Sequence, residues 1–256
     1  MLIAPYFFEL SATSAYTDIS PTAPTQGFQH PELIAFLKSD PDLFRIDTRT
    51  DIAGLWQPDT AALYGLQDVG GIDNPLILRH WNAFWEATGG RQTDRYDLLN
   101  VKYVIVRDGT PLPEGKFVLA FDAPGELAVY RNQDFLPRAW LAEDTGTLDQ
   151  LTPAPNAPAA QITHYGANEM TIIVQPTTPA YLVLSELWYP GWQATVNGAP
   201  AEVLRVNQAL RAVAVPAGDV TVQLWFAPRS WQWGLLAGTV GLILTGLCLW
   251  LRPRLR

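Results

Sequence analysis

From Trp231 to Leu251 the chain reads WQWGLLAGTVGLILTGLCLWL, 21 residues without a charge. At 1.5 Å per residue a helix of that length measures about 31 Å, matching a hydrocarbon core about 30 Å thick. A helix buried in a soluble protein keeps a polar stripe, and here only Gln232, Thr239 and Thr245 interrupt the apolar surface. The segment 230–251 is therefore expected to span a membrane. Trp231 and Trp233 at one end and Trp250 at the other fall where amphipathic rings prefer the headgroup layer. Arg252, Arg254 and Arg256 follow in the tail 252–256. The positive-inside rule then places the C-terminus in the cytoplasm and the body outside it. Gly234 and Gly238 form a GxxxG pattern that suits close helix approach, although glycine is also common in membrane helices generally.

Removing this span and its basic tail changes the meaning of the overall charge. Of 17 Lys and Arg and 25 Asp and Glu, three arginines belong to the tail, so the body carries 14 basic against 25 acidic side chains, a net of -11. Nucleic acid is excluded as a partner, because a groove for it needs a surplus of Lys and Arg. The single cysteine, Cys248, lies within the span, so the body has no disulfide and depends on packing. Residues 1–10, MLIAPYFFEL, lack a basic start and a long apolar run and do not form a signal peptide. A tail-anchored protein would have to push three arginines outward. The simpler expectation is a C-terminal piece of a longer, multi-spanning protein, whose upstream transmembrane helices are its first partners, with MLIAPYFF as the end of the last of them.

The pattern of the body predicts an α+β fold: a small α/β layer followed by an antiparallel β-sandwich and one C-terminal transmembrane helix. Residues 1–30, with Pro21 and Pro24, read as an extended lead-in. The α+β region is expected over 31–134. Pro31 opens a short helix through Lys38 whose apolar face is Leu33, Ile34 and Leu37. Phe44-Arg45-Ile46 suggests a brief strand. Asn74-Pro75 predicts a helix start running to about Ala87, burying Leu76, Trp81, Phe84 and Trp85. Lys102 to Arg107 is too continuously apolar for an edge strand, and Lys116 to Asp122 and Leu127 to Arg131 flank a hairpin turn at Ala123-Pro-Gly-Glu126. The sandwich is expected over 135–229, with alternation at Met170, Ile172, Val174 and at Val220, Val222, Leu224. Asn197-Gly198 suits a type I′ turn between 192–196 and a strand at 201–204, and Pro216-Ala-Gly218 is expected to close the next strand pair.

Several segments stand out along the body. They are Phe36-Leu-Lys38 to Phe44-Arg-Ile46, Gly65-Leu-Gln-Asp-Val-Gly-Gly71, Leu99-Asn-Val-Lys-Tyr-Val-Ile105 and Leu136-Pro-Arg-Ala139. The terminal blocks are Tyr181-Leu-Val-Leu-Ser-Glu-Leu-Trp-Tyr-Pro-Gly-Trp192, Val196-Asn-Gly198, Asn207-Gln-Ala-Leu-Arg-Ala-Val213 and Val215-Pro-Ala-Gly218. In this order the segments resemble the C-terminal extracytoplasmic end of the bacterial YfhO-like membrane proteins, and the resemblance covers nearly the whole chain. It implies a polytopic protein of the bacterial cell membrane related to the GT-C glycosyltransferases, which move sugars from lipid-linked donors onto cell-envelope acceptors. The upstream helices and the early outer loop where that superfamily keeps its acidic catalytic residues are absent here, so no catalytic role passes to any residue of this chain.

Chemistry-bearing residues are sparse, and no cofactor motif occurs. His30, His80 and His164 lack the close spacing of a zinc site and read as surface or structural residues. Glu186 has no identifiable carboxylate partner for a glycosidase pair and reads as a solvated or hydrogen-bonded strand residue. Gly70-Gly71 lacks the Lys and Ser/Thr of a phosphate-binding loop and reads as a tight turn. One cluster remains: Trp188, Tyr189 and Trp192 around Pro190-Gly191, with Asn207 and Arg211 as polar neighbours. Flat aromatic faces there would stack on sugar rings of a lipid-linked sugar or envelope glycan; the competing expectation, favoured because buried aromatics dominate packing energy, is that they fill the core or dock on membrane helices. Two functions are open: the non-catalytic extracytoplasmic portion of a transferase, or a membrane-anchored carbohydrate-binding or scaffold module without transferase activity.

Overall fold

A computed structural model describes residues 30–52, 54–57, 60–70, 77–122, 126–143 and 146–251. The lead-in up to residue 29, Gly71, Asp73, the Asn74-Pro75 helix start, Leu76, the turn at 123–125 and the three tail arginines lie outside the described residues.

The first unit is a mixed sheet with helices on both faces. Helix α1 (Pro31–Ser39) has proline in its first turn and buries Leu33, Ile34 and Leu37, the expected face. Strand β1 (Arg45–Asp47) follows, then the short helix α2 (Thr60–Leu63), α3 (Arg79–Thr88), the one-turn α4 (Asp94–Asp97), and strands β2 (Val101–Arg107), β3 (Phe117–Asp122) and β4 (Leu127–Asn132). The order is β1-β2-β4-β3, with β1 parallel to β2 and the remaining pairs antiparallel. Strand β2 is internal, as its continuous apolar run requires. Its Tyr103 and Ile105 face the core under α1, while Val104 and Val106 face Phe84 of α3 and Tyr96 of α4.

Helix α3 begins later than its cap signal suggests. Leu78 is extended, with ψ 127°, so no helix runs unbroken from Pro75, and the first helical residue is Arg79. Phe84 is fully buried as expected, and Trp81 and Trp85 pack partly against it. Gly89 ends the helix in the left-handed region, φ 73°, where glycine meets no Cβ clash.

The remaining strands form two antiparallel sheets packed face to face. One contains β11 (Leu204–Val206), β12 (Leu210–Val215), β8 (Ala180–Leu187) and β5 (Ala139–Ala142), in that order. The other contains β10 (Ala199–Ala201), β9 (Trp192–Val196), β13 (Val220–Phe226), β7 (Glu169–Val174) and β6 (Gln161–Tyr165). Met170, Ile172, Val174, Val220, Val222 and Leu224 interlock with Leu182, Leu184, Val213 and Val215 across the sandwich. The outer face of the first sheet is also buried, beneath Leu148 and Leu151 and beside Leu98 of the α+β unit. Leu187 and Ala209 enter the core around Phe84, so the two units share apolar packing.

Two turn expectations change. Asn197 and Gly198 take φ 50° and 81°, as the β9–β10 hairpin requires, but β10 ends at Ala201, and β11 starts at Leu204 in the opposite sheet. The predicted strand 201–204 is therefore a crossing between sheets. Pro200 is tolerated because β10 is an edge. Likewise, Pro216–Gly218 joins β12 to β13, which belong to different sheets; its turn caps the sandwich rather than closing a strand pair.

Strand β13 passes through Ala227-Pro228 into α5 (Arg229–Leu251). One C-terminal helix is thus long and apolar enough to cross a membrane; its most apolar 18-residue stretch has mean hydropathy 1.7 and none of that stretch is buried. The hydroxyls of Thr239 and Thr245 donate to the carbonyls of Leu235 and Gly241, each at 2.8 Å, which removes free donors from its surface.

Candidate functional site

A single carboxylate, Glu186 on β8, organises the junction between the two units. Arg138 Nη1 lies 2.6 Å from Glu186 Oε1, and Arg45 Nη2 and Arg211 Nη2 lie 3.3 and 3.5 Å from Oε2. The Tyr165 hydroxyl donates to Oε1 at 2.8 Å. Arg138 also donates to Asn100 Oδ1 at 2.8 Å and Gln67 Oε1 at 2.6 Å. Arg45 Nη1 donates to the carbonyls of Leu99 and Ser185, at 3.0 and 2.6 Å. Arg45, Gln67, Leu99 and Asn100 come from the α+β unit, and the others from the sandwich.

Local irregularities put these groups together. Across β8 and β12, Leu210 pairs with Leu187 but Arg211 pairs with Leu184, leaving Ser185 and Glu186 without cross-strand partners. Such a bulge re-aims side chains out of strict alternation. The β1–β2 register also shifts between Arg45 and Ile46. Every segment quoted above for resemblance between Phe44 and Val213, apart from the Val196-Asn-Gly198 hairpin, contributes to the cluster: Arg45, Gln67, Leu99 with Asn100, Arg138, Glu186 with Trp192, and Arg211.

Charge is unbalanced here. Among the described residues Glu186 is the only carboxylate ion-paired with Arg45, Arg138 or Arg211, so three guanidinium groups surround one negative charge. Burial alone would raise the Glu186 carboxyl, but Arg45 and Arg138, with Tyr165 and Arg211, hold it below its usual range. Burial pulls Arg45 and Arg211 down to about 10, against the opposing pull of Glu186, so both remain charged at neutral pH. Arg211 is the least satisfied. Its Nε and Nη1 are buried with no hydrogen-bond partner among the described residues, and its guanidinium stacks 3.8 Å from the Trp192 ring centre. It lines a cavity of about 380 Å³ together with Gln67, Tyr165, Gly166, Ala167, Glu186 and Trp192.

The structure divides the five residues singled out from sequence. Trp192 and Arg211 stack in the cavity just described. Tyr189, exposed, and Trp192 both approach Phe226, at 6.2 and 5.5 Å between ring centres. Trp188 turns toward the α+β unit: its ring lies edge-on to His80 with 6.1 Å between centres, and its backbone carbonyl lies 2.9 Å from His80 Nε2, while its indole donates to the Val203 carbonyl of the sandwich at 3.1 Å. Asn207 is buried on another side, where its amide bonds both the N–H and the carbonyl of Leu151, at 2.8 and 2.9 Å. It lies along a cleft with Asp94, Asp97, Asp134 and Asp149, of opposite charge to the arginine cluster.

Sequence reasoning missed Arg45, Arg138, Tyr165 and Gln67. Two left a trace: Arg45 between Phe44 and Ile46, and Arg138 beside Ala-Trp-Leu-Ala142, are lone charges in apolar runs. Tyr165 and Gln67 left none. No family model matches the chain, and no curated protein or solved structure shows significant similarity to it.

Proposed function

We propose that the chain is the non-catalytic extracytoplasmic C-terminal portion of a polytopic YfhO-like membrane protein. In this role the sandwich supports transfer of sugars from a lipid-linked donor to a cell-envelope acceptor of a bacterium. The observation that carries the reading is the junction of β13 with α5. Two residues separate the sandwich from a wholly exposed apolar helix, a short connection that supports a sandwich close to the bilayer where such a donor resides. The order of the resembling segments supports the family, and the arginines after the span support an outer body with a cytoplasmic tail.

Deletion of Ala139–Phe226 from the full-length protein tests this reading. Labelled-sugar transfer in isolated membranes should be lost while the upstream helices still insert; undiminished transfer overturns it. An alkaline phosphatase fused after Arg256 should be inactive and a fluorescent protein there bright, whereas the reverse result would overturn the sidedness. A stand-alone carbohydrate-binding or scaffold module would show no transfer in the intact protein either.

A further inference from the structure

We propose that the cavity between Arg211, Trp192, Tyr165 and the Gly166-Ala167 turn binds the phosphate of a lipid headgroup. The proposal rests on the membrane-seated reading above and adds the chemistry of the ligand. Four observations lead to it. Among the described residues three arginines face one carboxylate, a surplus of two positive charges; Arg211 lines the cavity beside Glu186, and Arg45 and Arg138 lie behind that carboxylate, so a phosphate dianion in the cavity would offset their field. Among the described residues two Arg211 nitrogens, Nε and Nη1, lack the partners that a purely structural buried arginine needs, and an unpaired buried donor costs stability. The Trp192 face that would stack on a sugar is occupied by the Arg211 guanidinium, so the site favours an anion over a neutral ring. Finally, the cavity has a volume of about 380 Å³, within the range of small-molecule sites.

Its position selects a lipid over a free anion. The Gly166-Ala167 turn adjoins the end of β13, because Phe226 N–H donates to the Asn168 carbonyl at 2.8 Å and Phe226 pairs with Trp192. The Ala227 N–H donates to Gly191 O at 2.8 Å, tying the loop before Trp192 to the linker. Gly191 is required there: at φ +114° a Cβ would meet Pro228 Cβ at 2.8 Å. From Phe226 to Arg229 the extended chain reaches at most about 10 Å, and each headgroup layer is roughly 5–8 Å deep. Exposed Trp231 and Trp233 mark that layer at the start of α5. A phosphate on a membrane lipid thus lies within reach of the cavity while its chains stay in the bilayer.

The test uses the whole chain in phosphatidylcholine nanodiscs doped with phosphatidic acid, with retained lipid counted by mass spectrometry. Calorimetric titration with inorganic phosphate forms the second arm. Selective retention of phosphatidic acid is expected, falling about tenfold or more in Arg211→Met and less in Arg211→Lys. Because Arg211→Met risks the fold, Ala167→Glu is the decisive variant: it puts a carboxylate on an exposed turn at the cavity, and should abolish retention at unchanged melting temperature. Equal retention in the parent and in Ala167→Glu overturns the site. Binding of inorganic phosphate without retention of phosphatidic acid overturns the lipid assignment. A chain that fails to enter the bilayer at all overturns the membrane reading, a result distinct from an inserted chain without selectivity.

Discussion

Glu186 is the residue on which most depends. Replacing it with Gln leaves Arg45, Arg138 and Arg211 buried without a counter-charge, and loss of one partner of a buried pair costs about 3–5 kcal/mol. Urea unfolding of the parent and of Glu186→Gln should differ by that amount. The folded state holds this carboxyl below its ordinary unfolded value. The unfolded chain therefore takes up the proton first as pH falls. The stabilisation is complete above that value and is lost as pH drops through the lower folded one. Glu186→Gln should accordingly flatten the acid limb of a stability-against-pH curve. Asn207 provides the contrast. Its two hydrogen bonds to Leu151 predict a loss of about 1–3 kcal/mol in Asn207→Ala, with phosphatidic acid retention unchanged. A change in retention would join Asn207 to the cavity after all.

Among the elements, α5 and the β8–β12 bulge depend on different kinds of information. The helix follows from composition alone, since 21 uncharged residues allow few other fates in water. Leu242→Arg, near its middle, should raise the apparent insertion cost by about 3 kcal/mol or more, readable in a translocation assay. The α1 face, the internal β2 and the Asn197-Gly198 hairpin were also legible, because period, burial and turn chemistry agree locally at each. The start of α3 and the roles of 201–204 and Pro216–Gly218 were not. A turn motif says that the chain reverses, but not whether the next strand pairs with the last or crosses to the facing sheet. Gly191→Ala tests an equally non-local constraint. With positive φ and Pro228 in the way, it should destabilise the body by more than about 1 kcal/mol, seen as a lower melting temperature.

At the scale of the molecule, the α+β unit and the sandwich meet through Leu187, Ala209 and Leu98 as well as through the Glu186 cluster. They are expected to unfold in one transition, with coincident signals from near-ultraviolet and far-ultraviolet circular dichroism; two separated transitions would mean that the shared contacts contribute little. By itself, the sequence determined the α+β class with a β-sandwich, the internal strands and the apolar helix. Each of these follows from periodicity, composition or turn residues within a short window. Only the tertiary structure decided that Arg45, Gln67, Arg138, Tyr165, Glu186 and Arg211 meet at one point. They are up to 166 positions apart, and their contact depends on the bulge at Ser185–Glu186 and on how the two units pack. Local patterns carry no record of such distant pairings, because a buried arginine is costly or useful only according to what the fold brings to its side.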